Sequence, residues 1–146
     1  MNQIRENLWI TDISTVINTR FDADRVVSVC QDSAADNVGC DYRHYNMSDG
    51  TDDSYGGSVD YSMFESAVDT VVSSVSDGNK TVVHCHMGRS RSAAVTIAAT
   101  AACDGSSYHS AYERVNYARR VDPDPLLIQY ATQYIASHTE HGGVAR

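Results

Sequence analysis

The chain of 146 residues is acidic, since 19 Asp and Glu residues against 11 Lys and Arg residues give a formal net charge of −8. The length fits one domain, and the shortage of basic residues argues against nucleic acid as a partner, because nucleic-acid binding draws on a surplus of Lys and Arg. No apolar run approaches the roughly 20 residues that cross a bilayer, so we expect a soluble protein with no membrane partner.

The first half of the chain is predicted to alternate strands with a helix. A short strand at Leu8–Ile10 precedes a brief helix at Ile13–Asn18 and a valine-rich strand at Arg25–Cys30. A further extended piece, Tyr42–Asn46, leads into MSDGTDDSYGGS, residues 47–58, whose glycines and aspartates predict an irregular loop.

The second half predicts helices on either side of one buried strand. Apolar residues at helical spacing predict an amphipathic helix over Val59–Val75. The segment KTVVHC, residues 80–85, predicts a short buried strand by its β-branched residues. The next segment, SAAVTIAATAAC, residues 92–103, is apolar around most of its circumference and predicts a helix inside the protein.

Two more helices are predicted to close the chain. Their candidate N-caps are Ser106 or Ser107 for the first helix, and Asp124, followed by Pro125, for the second. The order of elements predicts a single α/β domain over residues 1–146, with a central, mostly parallel sheet flanked by helices. The loop after Cys85 then lies at the carboxyl end of a strand, where such folds bind ligands.

The sequence VVHCHMGRSRS brings a cysteine, a glycine and an arginine into this loop. Backbone N–H groups of a loop that curls into a helix N-terminus converge on a phosphate, and the helix dipole favours an anion there. Gly88 permits a tight backbone path, and the planar guanidinium of Arg91 can hold two phosphate oxygens. The same positive potential favours the thiolate form of Cys85, which is therefore the candidate nucleophile beneath the phosphorus.

The residues around Cys85 and Arg91 are predicted to support the roles of these two side chains. The Ser92 hydroxyl can donate a hydrogen bond to the thiolate as it leaves, and His84 can fix the loop through backbone contacts. The remaining loop residues are predicted to bind substrate, mainly through backbone amides and the rim of the site: His86, Met87, Gly88, Arg89 and Ser90.

The two histidines beside Cys85 also suggest a metal site. Adjacent side chains of an extended backbone point in diverging directions, so His84, Cys85 and His86 would need distant ligands to hold an ion. We therefore predict neither a metal nor another cofactor.

The four cysteines bear on the redox compartment. They are irregularly spaced in a chain with no visible secretion signal. We therefore expect a cytoplasmic location and no structural disulfides. A regulatory redox role for Cys85 stays open, with Cys30, Cys40 or Cys103 as the resolving partner.

The loop sequence HCHMGRSRS resembles the HCxxGxxRS signature of the dual-specificity phosphatases, within the cysteine-based protein tyrosine phosphatase superfamily. The similarity extends over most of the chain: NLWITDI is similar to the opening strand of that family, RVVSVCQD to its next strand and DPDPLLIQYATQY to its closing helix. The resemblance implies a compact α/β domain that hydrolyses phosphotyrosine, and often phosphoserine or phosphothreonine, without a metal.

The resemblance also implies an aspartate on a separate upstream loop that protonates the leaving group and later activates water. The segment NMSDGTDDSYGGS occupies that place. Asp49 fits best because it directly follows the strand, whereas the extra residues before the helix leave Asp52 and Asp53 as alternatives. Turn formation is the structural alternative for each of these aspartates.

The predicted function is hydrolysis of a phosphorylated protein through a phosphocysteine at Cys85. A phosphatase acting on phosphoinositides or RNA 5′-phosphates would share the loop, but the loop contains Arg89 and no lysine. A non-catalytic phosphoresidue-binding module would be expected to have lost Cys85 or Arg91, and both are present. The oligomeric state leaves no trace in the sequence, so a monomer is assumed.

The composition also predicts a source. The chain has 15 aspartates and one lysine, Lys80. A saline cytoplasm tolerates such self-repulsion because the Debye length falls to ~3 Å at 1 M salt, which favours a halophilic archaeon. An ordinary acidic, soluble protein is the alternative.

Overall fold

The computed structural model describes residues 1–144 and, within them, the side chains of residues 1–138. Over that range the chain forms the predicted α/β fold, with five strands and five helices. The strands are β1 (Asn2–Arg5), β2 (Leu8–Asp12), β3 (Arg25–Ser28), β4 (Asp41–His44) and β5 (Thr81–Cys85). The helices are α1 (Ile13–Asn18), α2 (Tyr61–Ser76), α3 (Arg91–Asp104), α4 (Tyr108–Ala118) and α5 (Pro125–Val144).

The strands form one sheet in the order β1-β2-β5-β3-β4, in which β2, β5, β3 and β4 run parallel and β1 is antiparallel to β2. All five residues of the central strand β5 are buried. The carboxyl ends of the parallel strands meet at one edge, so the segments that follow β2, β3 and β5 lie side by side.

The edge strand β1 is an addition to the sequence prediction, which places no strand before Leu8. Its sequence NQIR contains a single apolar residue, Ile4, so the pattern carries little strand signal. Asn7 in the connection to β2 has a φ of 68°, a left-handed conformation that Asn tolerates well and that lets the chain reverse.

Helix α3 occupies the middle of the helical layer and packs against α2, α4, α5 and β5. This position explains a sequence that is apolar on all sides. The helix ends at Gly105, which adopts the left-handed conformation with a φ of 66°.

The other helices begin at side chains that accept backbone hydrogen bonds. The Asp60 carboxylate accepts from Met63 N at 2.8 Å, so α2 starts at Tyr61 and not at the predicted Val59. Ser107 caps α4, and Asp124 accepts from the backbone N–H of Leu126 at 2.9 Å at the start of α5. Within residues 1–144, none of the helices combines the length and apolar character that crossing a bilayer requires.

Candidate active site

A cavity of about 770 Å³ opens at the carboxyl edge of the sheet. It is formed by the loop after β5, the residues after β3, the loop before α2 and one residue before α5. The residues of the loop after β5 that line the cavity are Cys85, His86, Met87, Arg89, Ser90 and Arg91. The other segments contribute Gln31, Asp32, Asp49, Asp52, Tyr55 and Asp122.

Cys85 is the last residue of β5, and its thiol lies at the base of this cavity with 2% of the residue exposed. The backbone N–H of Gly88 donates to Cys85 Sγ at 3.2 Å. The Ser92 hydroxyl oxygen lies 3.1 Å from the same sulfur. Two groups able to donate to a thiolate therefore converge on Cys85, as nucleophilic catalysis requires.

Gly88 fixes the path of the loop. It has a φ of 70°, which glycine adopts without steric penalty. A Cβ at this position would lie 2.6 Å from the carbonyl oxygen of Thr11, at the end of β2. The loop thus packs directly on the neighbouring strand, and no side chain fits between them.

Arg91 is the first residue of α3 and is 8% exposed. Its Nη1 donates to Gln31 Oε1 at 2.9 Å and to the carbonyl oxygen of Met47 at 3.1 Å. These two bonds set the plane of the guanidinium at the cavity. Sequence reasoning missed Gln31, although its place directly after the strand predicted at Arg25–Cys30 was an available signal.

Arg119, at the end of α4, is a second residue that sequence reasoning missed. Its guanidinium donates to the carbonyl oxygens of Met87 at 2.8 Å and of Gly88 at 2.9 Å. It also donates to the Asp12 carboxylate at 3.1 Å. Arg119 therefore fixes the backbone of the loop at Met87 and Gly88 by holding their carbonyl groups.

Asp12 completes this contact from the end of β2. Partial burial raises the pKa of its carboxyl, but hydrogen bonds from Thr15 and Arg119 outweigh that effect and hold the pKa below its usual value. Asp12 is thus a stable anion that anchors Arg119 behind the loop.

The three predicted acid candidates have different surroundings. Asp49 is half-buried, lines the cavity and accepts a short hydrogen bond from the Ser90 hydroxyl through Oδ1. Asp52 is exposed and accepts from the Ser54 hydroxyl at 2.6 Å and from its amide at 3.1 Å, and these bonds lower its pKa. Asp53 is exposed and is not among the residues that line the cavity.

The histidines on either side of Cys85 point to different partners. His84 is fully buried, with Nδ1 3.3 Å from the carbonyl oxygen of Cys85, and burial lowers its pKa to about 4. His86 is exposed, and its Nδ1 lies 3.2 Å from an Asp32 carboxylate oxygen at the rim. In the described part of the chain, no three His, Cys, Asp or Glu side chains are grouped to hold a metal ion.

All four cysteines are free thiols. Burial raises the pKa of Cys30, Cys40 and Cys103, so these three stay protonated at neutral pH. Cys85 differs from them in that it lines the cavity.

The rim of the cavity is mainly acidic and apolar. The lining includes three carboxylates, those of Asp32, Asp52 and Asp122, and the basic side chain of Arg89. Tyr55 and Met87 add exposed apolar surface, with 74% and 58% of each residue accessible. A ligand that enters the cavity with its phosphate group leading therefore meets negative charge around the entrance and positive charge at the base.

The sequence and the fold match known proteins. The family model described as "Dual specificity phosphatase, catalytic domain" matches residues 5–134. Human DUSP28 superposes with a TM-score of 0.77 at 18% identity, covering 97% of this chain and 99% of that one.

Two further solved structures have the same fold. A mouse putative dual specificity phosphatase complexed with zinc tungstate gives a TM-score of 0.76 at 20% identity, over 97% of this chain and 89% of that one. The human tyrosine phosphatase-like serine/threonine/tyrosine-interacting protein gives a TM-score of 0.76 at 20% identity, over 94% of this chain and 96% of that one. No curated protein sequence matches the chain significantly.

Proposed function

Because the chain belongs to the dual specificity phosphatase family and is a cysteine-dependent phosphatase of phosphorylated substrates, we propose that Cys85 is its nucleophile and Arg91 its phosphate-binding side chain. The observation that carries this proposal is that a thiol, to which the Gly88 amide donates, and a guanidinium fixed by hydrogen bonds line the same cavity. Residues 1–146 are proposed to form one catalytic domain.

The first step transfers the phosphoryl group to Cys85. The loop amides and Arg91 bind the phosphate oxygens and stabilise the charge spread over the three equatorial oxygens in the transition state. The thiolate attacks phosphorus, the S–P bond forms and the bond to the leaving oxygen breaks. Asp49 gives its proton to that oxygen, so the leaving group departs as a neutral alcohol or phenol.

The second step releases phosphate. Water attacks the phosphocysteine, and the Asp49 carboxylate accepts a proton from it. The S–P bond breaks and Cys85 leaves as a thiolate, to which the Ser92 hydroxyl, 3.1 Å from the sulfur, donates a hydrogen bond. Inorganic phosphate is the product, and the enzyme returns to its starting state with no cofactor consumed.

Asp49 is the preferred general acid because of what surrounds each candidate. Its carboxyl lines the cavity beside Ser90. The Asp52 carboxylate is engaged by Ser54, and the lowered pKa makes it a poorer acid at neutral pH. Asp53 does not reach the cavity lining.

A phosphorylated protein is the proposed substrate, with phosphotyrosine hydrolysed and phosphoserine or phosphothreonine as further candidates. The acidic rim, with Arg89 as its basic side chain, opposes polyanionic ligands such as phosphoinositides or RNA 5′-phosphates, and makes them the less favoured alternative. A binding-only role, which the name of one structural neighbour raises, is disfavoured because Cys85 and Arg91 are both in place.

We further propose a monomeric enzyme of a halophilic archaeal cytoplasm, without nucleic-acid or membrane partners. The net charge of −8 with a single lysine supports the saline setting. A cysteine nucleophile works only when reduced, which suits a reducing cytoplasm.

Turnover of an aryl phosphate in high-salt buffer containing a chelator tests the nucleophile. Wild type should release phosphate and Cys85→Ser should not, whereas inactive wild type or undiminished Cys85→Ser would refute the proposal. The pH–rate profiles of Asp49→Ala, Asp52→Ala and Asp53→Ala identify the acid. If Asp49→Ala kept the wild-type profile, the assignment of the acid would be wrong.

A further inference from the structure

Ser90 occupies the N-cap position of α3 but makes no side-chain capping hydrogen bond. A serine at this position ordinarily accepts from an amide in the first turn of its own helix. Here its hydroxyl oxygen accepts instead from the backbone N–H of Asp124, at 2.9 Å, and its proton is donated to Asp49 Oδ1. The side chain therefore connects two segments that are distant in sequence.

The direction of these two bonds follows from the chemistry of a hydroxyl group, which has one proton to donate. Because the Asp124 amide can only donate, the single Ser90 proton is directed to Asp49. Oδ1 of Asp49 then acts as an acceptor in both protonation states, so the transferable proton belongs on Oδ2.

A second contact holds the same loop against the start of α5. Gly50 has a φ of 65°, and a Cβ there would lie 1.9 Å from the Asp124 carboxylate oxygen Oδ1. The backbone of the loop thus lies directly on the Asp124 side chain. The loop residues that follow, 51–56, are all exposed, so the contact at Gly50 and the bond to Ser90 lie at the buried end of the loop.

We propose that Ser90 is a positioning residue for general acid catalysis: its hydroxyl, oriented by the Asp124 amide, holds the Asp49 carboxyl at the cavity with Oδ2 directed to the leaving oxygen. This inference rests on the proposed function. It assigns to the Ser90 side chain a role separate from the predicted binding of phosphate by the Ser90 backbone.

The test compares two substrates that differ in their need for an acid. Phenyl phosphate has a basic leaving group and depends on protonation, whereas 2,4-dinitrophenyl phosphate leaves readily without it. Ser90→Ala should lower kcat/KM roughly tenfold on phenyl phosphate, the effect of one lost hydrogen bond to a carboxyl group, and less than about twofold on the dinitrophenyl ester. Ser90→Thr keeps the hydroxyl and should restore the phenyl phosphate activity.

A double-mutant cycle links Ser90 to Asp49. Asp49→Asn should show the same substrate selectivity with a larger loss, and Ser90→Ala combined with Asp49→Asn should equal Asp49→Asn within about twofold, because the serine acts only through the acid. The matched control is Ser76→Ala, at an exposed serine of α2, which should leave both rates unchanged.

The outcomes separate the two proposals. An equal loss on both substrates would mean that Ser90 serves phosphate binding, and fully multiplicative losses in the double mutant would mean that it acts independently of Asp49. Either result overturns the inference while leaving the phosphatase intact. If wild type turned over neither substrate, the proposed function itself would fail.

Discussion

Lowering the pH from 7 to 4 should destabilise the fold through His84, the buried histidine that precedes Cys85. Burial lowers its pKa from 6.5 to about 4. Between these values the unfolded chain binds a proton that the native protein does not, so the free energy of unfolding falls as the pH falls. At about 1.4 kcal/mol per pH unit, this interval corresponds to a loss of roughly 3 kcal/mol.

The change in stability between pH 7 and pH 4 is attributed to His84. Folding also lowers the pKa of several carboxyl groups from their usual 3.8, so the stability they contribute is present above that pH and is lost only as the pH falls further. These groups are Asp12, Asp22, Asp41 and Asp52. Measurements from pH 7 to pH 4 therefore report mainly on His84 and keep most of the carboxylate effect outside the interval.

The measurement is urea unfolding at pH 7, 6, 5 and 4 for wild type, His84→Gln and His109→Gln. His109 lies on the surface of α4 with 81% of its side chain exposed, so its variant controls for the loss of an ordinary histidine. In His109→Gln the free energy of unfolding should depend on pH as in wild type. In His84→Gln the decrease in that free energy between pH 7 and pH 4 should be about 3 kcal/mol smaller than in wild type. An unchanged dependence in His84→Gln, or a native His84 ring that titrates near 6.5 by NMR, would refute the reasoning.

Three further predictions concern the loop and its rim. Gly88→Ala should weaken vanadate binding at least about tenfold, because the new Cβ strains the backbone and clashes with β2. The control is Gly78→Ala, where the φ of 83° is similar but no atom lies within 4 Å of the new Cβ. This variant should leave vanadate binding unchanged. Arg119→Met should raise KM for an aryl phosphate roughly tenfold with a smaller change in kcat, because two carbonyl contacts are lost, and the exposed Arg120→Met should leave both constants unchanged. At low salt, phosphotyrosine peptides flanked by lysines should be hydrolysed about tenfold more efficiently than those flanked by glutamates, and Asp122→Asn should reduce that preference. Equal effects in a variant and its control, or no peptide preference, would count against the corresponding contact.

The position of the loop from Cys85 to Arg91 was predictable because its sequence signals are local. The segment from Cys85 to Arg91 joins a strand to a helix, so its place at the carboxyl edge of the sheet follows from the order of two elements. The signals for both elements are strong, namely the β-branched residues of β5 and the apolar circumference of α3. The structure places this loop at the cavity with the expected glycine in a left-handed conformation.

The residues that orient the loop were not predictable in the same way. Arg119 reaches Met87 and Gly88 because α4 ends beside the loop, a consequence of how helices pack around α3 and not of any pattern in the sequence. The choice between Asp49 and Asp52 likewise depends on an irregular loop, in which a short contact to Ser54 engages one carboxylate and a contact to Ser90 engages the other.

The burial of α3 has a consequence for how the enzyme responds to dissolved ions. Eleven of the fourteen residues of this helix are buried, among them Arg91 and Ser92 at its N-terminus, so these groups are largely out of contact with bulk water. An ion atmosphere screens exposed charges within ~3 Å at 1 M salt but screens buried groups much less. Phosphate capture should therefore persist at high ionic strength, whereas discrimination by the exposed rim carboxylates should fade.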